Sequence, residues 1–267
     1  MACCRWSTGI VLLASVMLAH ADELLACADV AEMPPFVYTV ADNAGGEKKV
    51  AGVTIDLLNL VARENGWKLR IDLLPWGRCT LDARNGRYAL VLDVGEDDAR
   101  ANRLRLSRSF YATHGVYLYS RRVHPEGLLL SDMAQLSHLK VCGMGGYQYE
   151  TFGIPSQAID RGTTRSFEQM VTKLHLGRCD IAVGTREEVA GHYLLNARLG
   201  HQISTGSLDM DPLPGAPERK LFFGVPEGRP DTQALVAALN RSLERLEKGD
   251  TVVKLVDRHL AVPDPHR

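Results

Sequence analysis

The 267-residue sequence lacks an excess of charge of either sign, with 31 Lys and Arg against 32 Asp and Glu. A net charge of −1 supplies no basic field for nucleic acid or anionic lipid, so we expect neither as a partner. Aromatic residues make up only 6% of the chain, while 45% is hydrophobic and 24% is charged. This composition is typical of a folded protein and excludes wholesale disorder and a polytopic membrane protein.

Long hydrophobic runs are also missing, apart from one near the start of the chain. Residues 10–19 are all apolar or small, Arg5 precedes them, and Ala19-His20-Ala21 has the small-x-small pattern of a cleavage site. This pattern predicts a signal peptide over residues 1–21 and export to the periplasm. This run is too short for a membrane span, which needs roughly 20 apolar residues. A lipoprotein-like box at residues 24–27 leaves attachment through Cys27 as an alternative.

Metal-binding patterns are absent from the sequence as well. No two cysteines of the mature chain form a CxxC, and the nine histidines are scattered without the short spacings that build a metal site. We therefore expect no metal and no cofactor.

The sequence contains two weakly similar halves. Residues 85–92 (NGRYALVL) resemble residues 176–183 (LGRCDIAV). In each, a glycine marks a helix end before a run suited to a buried parallel strand. Helices alternate with strands in both halves, which predicts two α/β lobes.

The mature chain keeps four cysteines: Cys27, Cys79, Cys142 and Cys179. An even number in an exported protein predicts two disulfides, for which three connectivities are possible. The similarity of the halves favours pairing the first two with each other and the last two with each other. Each bridge would contribute about 2–4 kcal/mol to stability.

Four short motifs follow one another in the order known from one family. They are residues 34–36 with 52–58 (PPF and GVTIDLL), 98–107 (DARANRLRLS), 177–180 (GRCD) and 239–250 (LNRSLERLEKGD). Together, over residues 24–262, they resemble the family 3 periplasmic solute-binding proteins, which include the polar amino-acid receptors of bacterial ABC importers.

The resemblance implies a type II periplasmic binding protein fold of the α/β class, with two lobes, each a doubly wound sheet, joined by two hinge strands. We expect lobe 1 at residues 22–118 plus 221–267 and lobe 2 at 119–220, with crossings near 114–120 and 221–225. The resemblance also implies a monomeric, non-enzymatic binder that closes on a small-molecule solute by a hinge motion. An inner-membrane ABC permease or a sensor domain would recognise the closed form.

The resemblance further implies where the ligand is held. Arg100 stands seven positions before Ser107, where the amino-acid receptors place the arginine that grips the ligand's carboxylate. Trp76 falls where the family places an aromatic side chain against the ligand. Gly146 and Tyr147 lie where the second lobe of the family presents a Gly-Thr pair.

Two further candidates follow from the residues themselves, and one from a departure from the family. Asp29 and Asp93 each lie at the C-terminal end of a predicted strand, where open α/β sheets bind ligands. Five positions after Asp180, Thr185 replaces the aspartate that binds the ammonium group of an amino acid. We place Thr185 at the site, but the departure puts a standard α-amino acid in doubt and leaves another small carboxylate-bearing solute open.

Two other functions remain open at this point. Some periplasmic dehydratases resemble these receptors, and an enzyme would need a positioned acid or base, with Glu187, Asp93 and His114 as candidates. Residues 27–36 are also similar to the start of the accessory binding proteins of methanol oxidation systems. Substrate turnover separates an enzyme from a receptor, because a receptor returns its ligand unchanged.

Overall fold

The structure is a computed structural model. It describes residues 23–40, 48–96, 102–145, 147–160, 162, 164–195, 200–201 and 205–260. The predicted signal peptide lies outside the described residues, as do Arg100 and Gly146. Within the described ranges, none of the helices combines the length and the apolar character needed to cross a bilayer.

The first of the two large sheets has the strand order β4-β1-β5-β13-β6, with β7 beside β13. These strands are β1 (Glu23–Asp29), β4 (Lys68–Leu74), β5 (Leu90–Gly95), β6 (Leu104–Leu106), β7 (Tyr111–Thr113) and β13 (Arg219–Pro226). Strand β1 runs parallel to β4 and β5, whereas β13 is antiparallel to β5. A separate hairpin joins β2 (Tyr38–Val40) to β3 (Lys49–Ala51).

The first sheet has helices on both faces, and together they form what we call the first lobe. The helices are α1 (Val53–Asn65), α2 (Trp76–Arg84), α5 (Thr232–Glu247) and α6 (Thr251–Leu260). Apolar residues of α1, α5 and α6 share one core with the sheet, and residues of α2 share a second core with it. Phe36 is fully buried in the larger of these two cores.

The second large sheet has the order β10-β9-β11-β8-β12. Its strands are β8 (Gly115–Ser120), β9 (Val141–Cys142), β10 (Ile159–Asp160), β11 (Ile181–Thr185) and β12 (Leu208–Pro212). Helices α3 (Phe167–His175) and α4 (Arg186–Leu195) contribute to one core, and the short 3-10 segments Met133–His138 and Glu150–Phe152 contribute to the other. We call this sheet with these elements the second lobe.

The chain crosses between the two sheets twice. Strand β7 belongs to the first sheet and β8 to the second, so the first crossing is at His114. The return crossing lies between β12 and β13, in residues 213–218. The lobe limits expected at 118 and 220 stay a prediction, and both fall within a few residues of these crossings.

Both disulfides have the pairing that the similarity of the halves favours. Cys27 is joined to Cys79 with their Cα atoms 5.7 Å apart, and Cys142 to Cys179 with theirs 5.8 Å apart. Each bridge ties the first parallel strand of a lobe to residues near a later helix of the same lobe. Each lobe therefore has one internal disulfide, and no disulfide joins the two lobes in the described residues.

Local sequence signals explain where α1 ends and where α3 begins. Helix α1 buries Ile55, Leu58 and Val61 and ends at Gly66, whose φ of 71° is the left-handed conformation that glycine adopts without steric cost. Ser166 is the N-cap of helix α3, and its hydroxyl accepts the Gln169 N–H. The side chain of Gln169 accepts from the N–H of Arg165 rather than from that of Ser166, so only half of a capping box is formed.

Candidate ligand cleft

A cavity of about 90 Å³ lies between the two sheets, at the carboxyl ends of their parallel strands. Five of the predicted site residues line it: Asp29, Trp76, Asp93, Tyr147 and Thr185. Since one water needs about 10–15 Å³ by the same measure, the cavity has room for a molecule of several non-hydrogen atoms. The other two predicted residues, Arg100 and Gly146, lie outside the described residues.

The first lobe supplies its cavity groups from the ends of strands. Asp29 is the last residue of β1, and its carboxylate accepts the N–H of Ala31 at 3.0 Å. Trp76 opens α2 directly after Pro75, which ends the extended run of β4, and only 8% of it is exposed. An indole ring in this position suits an apolar or cationic group.

Asp93 is a buried carboxyl group near the end of β5. Its backbone φ is 55°, and the hydroxyl of Thr54 donates to its Oδ1 at 2.6 Å. Burial raises the pKa of Asp93 to about 7, against the opposing effects of the Thr54 hydrogen bond and the Arg219 charge. A carboxyl group with this pKa changes its charge near neutral pH, which is uncommon for aspartate.

Arg219 is a cavity residue that the sequence analysis missed. It is the first residue of β13, which returns to the first sheet antiparallel to β5, so its side chain reaches the same sheet edge as Asp93. A Cβ atom added at Gly95 would lie 3.0 Å from Nε of Arg219, so the absence of a side chain there leaves room for the guanidinium. Among the described lining residues, Arg219 is the one basic side chain.

The second lobe supplies its carboxylate from a helix rather than from a strand end. Thr185 is the last residue of β11, and its hydroxyl accepts the N–H of Glu188 at 3.2 Å, so Thr185 caps the start of α4. The cap places Glu188 in the first turn of α4, where it lines the cavity with only 3% of its surface exposed. Thr185 therefore orients a carboxylate at the cavity although it cannot supply one.

Tyr147 and His192 surround the carboxylate of Glu188. The hydroxyl of Tyr147 donates to Oε1 of Glu188 at 2.7 Å, and Nε2 of His192 lies 3.8 Å from the same oxygen. The His192 ring stacks on Phe167 with centroids 4.5 Å apart. Burial, and then the charge of Glu188, raises the pKa of Tyr147 well above its usual value, so the tyrosine remains a hydrogen-bond donor.

Glu187 and His114 lie at the first crossing, and neither lines the cavity. Nδ1 of His114 is 2.8 Å from Oε1 of Glu187, and the His114 N–H donates to Oε2 at 3.0 Å. Arg186 also donates to Oε1 of Glu187 at 3.0 Å. Of the three acid–base candidates considered for an enzyme, only Asp93 therefore lines the cavity.

The cavity has more acidic than basic groups among its described lining residues. Asp29, Glu32, Asp93 and Glu188 face a single arginine. Three of the four acidic side chains accept a hydroxyl hydrogen bond, Glu32 from Thr39, Asp93 from Thr54 and Glu188 from Tyr147. In the described part of the chain, no three His, Cys, Asp or Glu side chains group together to hold a metal ion.

Comparison with known proteins identifies the family. Residues 25–262 match the bacterial extracellular solute-binding proteins, family 3, and the chain belongs to this family. This confirms the resemblance inferred from the short motifs and the two-lobe fold. No curated protein matches the sequence closely enough to count as a relative.

Solved structures share the fold at low sequence identity. AbpA, an amino acid ABC transporter substrate-binding protein from Streptococcus pneumoniae bound to L-arginine, has a TM-score of 0.70 at 15% identity, over 89% of this chain and 94% of that one. The AvGluR1 ligand-binding domain in complex with serine has a TM-score of 0.69 at 15% identity, over 91% and 98%. The ancestral amino acid-binding protein AncCDT-1, a precursor of cyclohexadienyl dehydratase, has a TM-score of 0.64 at 17% identity, over 90% and 96%.

Proposed function

We propose that this protein is exported, captures a small amino-acid-like solute between its lobes as a monomer, and delivers it to an inner-membrane ABC permease. The observation that carries the proposal is the placement of Arg219 and Glu188 on opposite walls of one cavity. An α-amino acid has a carboxylate and an ammonium group, and these two side chains complement them. Closure of the lobes would exclude water from the cavity, so each charged group of the solute would interact more strongly with its partner side chain than it does with water.

The carboxylate of the solute would bind to arginine. Arg219 reaches the cavity from the first lobe, and a guanidinium can hold a carboxylate through two parallel hydrogen bonds. Arg100 stays a predicted second partner on the strength of its distance from Ser107 in sequence. Both residues belong to the first lobe by their position in the chain, so the carboxylate would be held before closure.

The positively charged nitrogen would bind to Glu188, with Asp29 and the face of Trp76 close to it. Glu188 supplies the negative charge that Thr185 lacks, which removes the objection to an amino acid raised by the sequence. An ion pair, an aromatic contact and a few amide hydrogen bonds can provide the net −8 kcal/mol or so of a micromolar complex.

Calorimetry tests this proposal with a panel of L-amino acids and with organic acids that lack the amine. We expect micromolar binding of at least one amino acid, and a loss of at least about tenfold in affinity for Arg219→Ala and for Arg100→Ala. Unchanged affinity in Arg219→Ala would remove that residue from the site. Binding of organic acids in preference to amino acids would contradict the role given to Glu188.

An enzymatic function has one observation in its favour. Asp93 lines the cavity with a pKa of about 7, and such a carboxyl group can exchange a proton near neutral pH. Incubation of the purified protein with each solute it binds, followed by mass spectrometry of the solute, separates the two functions. Recovery of the intact solute supports a receptor, and a product that Asp93→Asn no longer forms supports an enzyme.

A further inference from the structure

The two lobes touch directly beside the cavity, where a helix of the second lobe meets a turn of the first. Gly191 lies in α4 and is buried against the Pro34-Pro35 turn, which follows β1 of the first lobe. A Cβ atom added at Gly191 would lie 2.7 Å from the nitrogen of Pro35 and closer still to the carbonyl group of Pro34. These are main-chain atoms, so no side-chain rotation could make room for it.

The contact at Gly191 is part of a wider surface between the lobes. The hydroxyl oxygen of Tyr147 is 3.4 Å from the carbonyl oxygen of Glu32, across the mouth of the cavity. A groove beside it is lined from the first lobe by Glu32, Pro34, Tyr38, Thr39 and Val40, and from the second by His192 and Leu195. Helix α4 also lies against α6 of the first lobe. Helix α4 thus meets the first lobe at Gly191 and at α6.

The turn that Gly191 meets is rigid. Proline fixes its own φ and restricts the residue before it, so two consecutive prolines leave the turn little freedom to move away. The hydrogen bond from the Val53 N–H to the Pro35 carbonyl, at 2.9 Å, further ties the turn to the start of α1. A side chain at position 191 would therefore have to hold α4 away from the first lobe.

Glu188 and Gly191 are three residues apart on α4, so they lie on the same face of the helix. The approach of Gly191 to the turn accordingly sets how far Glu188 is carried towards the first wall of the cavity. We infer that Gly191 is the position that determines the closed angle between the lobes, and that its lack of a side chain is what lets Glu188 reach the solute. The role of Glu188 in this inference rests on the proposed function, whereas the contact between the lobes at Gly191 does not depend on it.

Substitution at Gly191 has opposite expected effects on folding and on closure. In the open form α4 is away from the turn, and alanine is a better helix former than glycine. We therefore expect Gly191→Ala to keep or raise the melting temperature of the solute-free protein while it lowers solute affinity by at least about tenfold, because less of the protein can reach the closed form. Gly191→Val should lower the affinity further. Gly77→Ala is the matched control, since Gly77 is a helical glycine with no atom within 4 Å of an added Cβ.

Distance measurement between the lobes tests closure without relying on the identity of the solute. Spin labels on Leu81→Cys in the first lobe and Leu129→Cys in the second, both exposed positions, report the inter-lobe distance by electron–electron double resonance. Spectra are recorded for each variant alone and with the standard L-amino acids at millimolar concentration. We expect a short-distance population in the wild-type background and in Gly77→Ala, a smaller one in Gly191→Ala, and none in Gly191→Val.

The outcomes separate this inference from the proposed function. An equal short-distance population in Gly191→Val and wild type would overturn the inference, as would a wild-type protein that binds an amino acid in calorimetry but shows no short-distance population with it. A lower melting temperature in Gly191→Ala than in wild type would also overturn it, because the contact would then belong to the fold and not to closure. Failure of every amino acid to bind the wild type in calorimetry would contradict the proposed function alone.

Discussion

The first wall of the cavity takes Asp29, Asp93 and Arg219 from β-strands, whereas the second takes its carboxylate from the first turn of a helix. Asp29, Asp93 and Arg219 are all parts of strands of one hydrogen-bonded sheet. Glu188 instead lies beyond the end of β11, on a helix that packs against the opposite lobe. The first wall is therefore fixed by its sheet, while the position of the second wall's charge depends on where α4 rests.

This difference suggests that the two walls act at different steps of binding. A fixed wall can hold the solute in the open form, because its groups keep their arrangement when the lobes separate. Under the proposed function, the charge on α4 would reach the solute only when the lobes meet, and the additional ion pair would favour closure. Substitutions on the two walls should accordingly differ in which step of binding they change.

The largest expected effect is a loss of solute affinity on substitution of Glu188, compared with the same substitution of its neighbour Glu187. Glu188→Gln should lower solute affinity by about 100-fold or more, because it removes the buried charge that we propose pairs with the solute's ammonium group. Glu187→Gln is the matched control, with the same chemistry and the same 3% exposure, but contacts at the crossing rather than at the cavity. Calorimetry with one amino acid measures both. Equal losses in the two variants would contradict the assignment of Glu188 to the solute.

Removal of each disulfide in turn allows the stability of the two lobes to be compared. Removing either bridge, as Cys27→Ala with Cys79→Ala or as Cys142→Ala with Cys179→Ala, should lower the free energy of unfolding by about 2–4 kcal/mol. The bridges span 52 and 37 positions, so chain entropy predicts nearly equal losses, with the first larger by about 0.3 kcal/mol. Urea denaturation measures the loss. No change on removal of one pair would show that the bridge does not form in that lobe.

The buried carboxyl group of the first wall should make stability depend on pH. Because the pKa of Asp93 is raised from 3.8 to about 7, the folded protein keeps a proton that the unfolded chain loses, and this favourable contribution falls away as pH rises towards 7. Asp93→Asn should therefore gain stability over wild type with rising pH, by about 2 kcal/mol between pH 5 and pH 7. Asparagine also accepts the positive φ at this position.

Asp72 provides the control with the opposite sign. The hydroxyl of Tyr88 donates to its carboxylate at 2.7 Å and lowers the pKa of Asp72, so its contribution is present above the unfolded pKa and lost in acid. Asp72→Asn should be less stable than wild type at pH 7 and approach it at low pH. Urea denaturation from about pH 2.5 to 8 measures both variants, because the Asp72 contribution is lost only below its unfolded pKa of 3.8. The same direction of change for the two would contradict the environment described for Asp93.

The smallest expected effect concerns the glycines that end corresponding helices of the two lobes. Gly66 after α1 and Gly177 after α3 have φ of 71° and 63°, and an added Cβ at either would meet no atom closer than 3.7 Å. Gly66→Ala and Gly177→Ala should each cost about 1 kcal/mol of stability, from backbone conformation alone. Thermal unfolding measures this. A cost several times larger at one position would show that the two helix ends are not equivalent.

Sequence reasoning predicted those cavity-lining residues that local rules define. Asp29 and Asp93 followed from the rule that ligands bind at strand ends, and Trp76, Tyr147 and Thr185 followed from their spacing within the family motifs. The disulfide pairs followed from the similarity of the halves. Each of these depends on residues close in sequence or on an internal repeat.

The residues that were missed depend on contacts between distant parts of the chain. Arg219 enters the cavity because β13 returns to pair with β5, which lies more than a hundred positions earlier. Glu188 faces the cavity because Thr185 caps α4 and so fixes which residue of the first turn points inward. The signal for Glu188 was present as a threonine followed three positions later by glutamate, the pattern of a capping box. Glu187, the neighbouring candidate, lies instead against His114.

The central claim, that opposite charges on the two walls hold an amino-acid-like solute, is tested most directly by a pair of ligands that differ in one group. The measurement is the ratio of affinities for an L-amino acid and for the 2-hydroxy acid with the same side chain, in wild type and in Glu188→Gln. We predict that the wild type prefers the amino acid by at least about 100-fold and that Glu188→Gln largely loses this preference. Equal affinity of the wild type for the two ligands would contradict the claim.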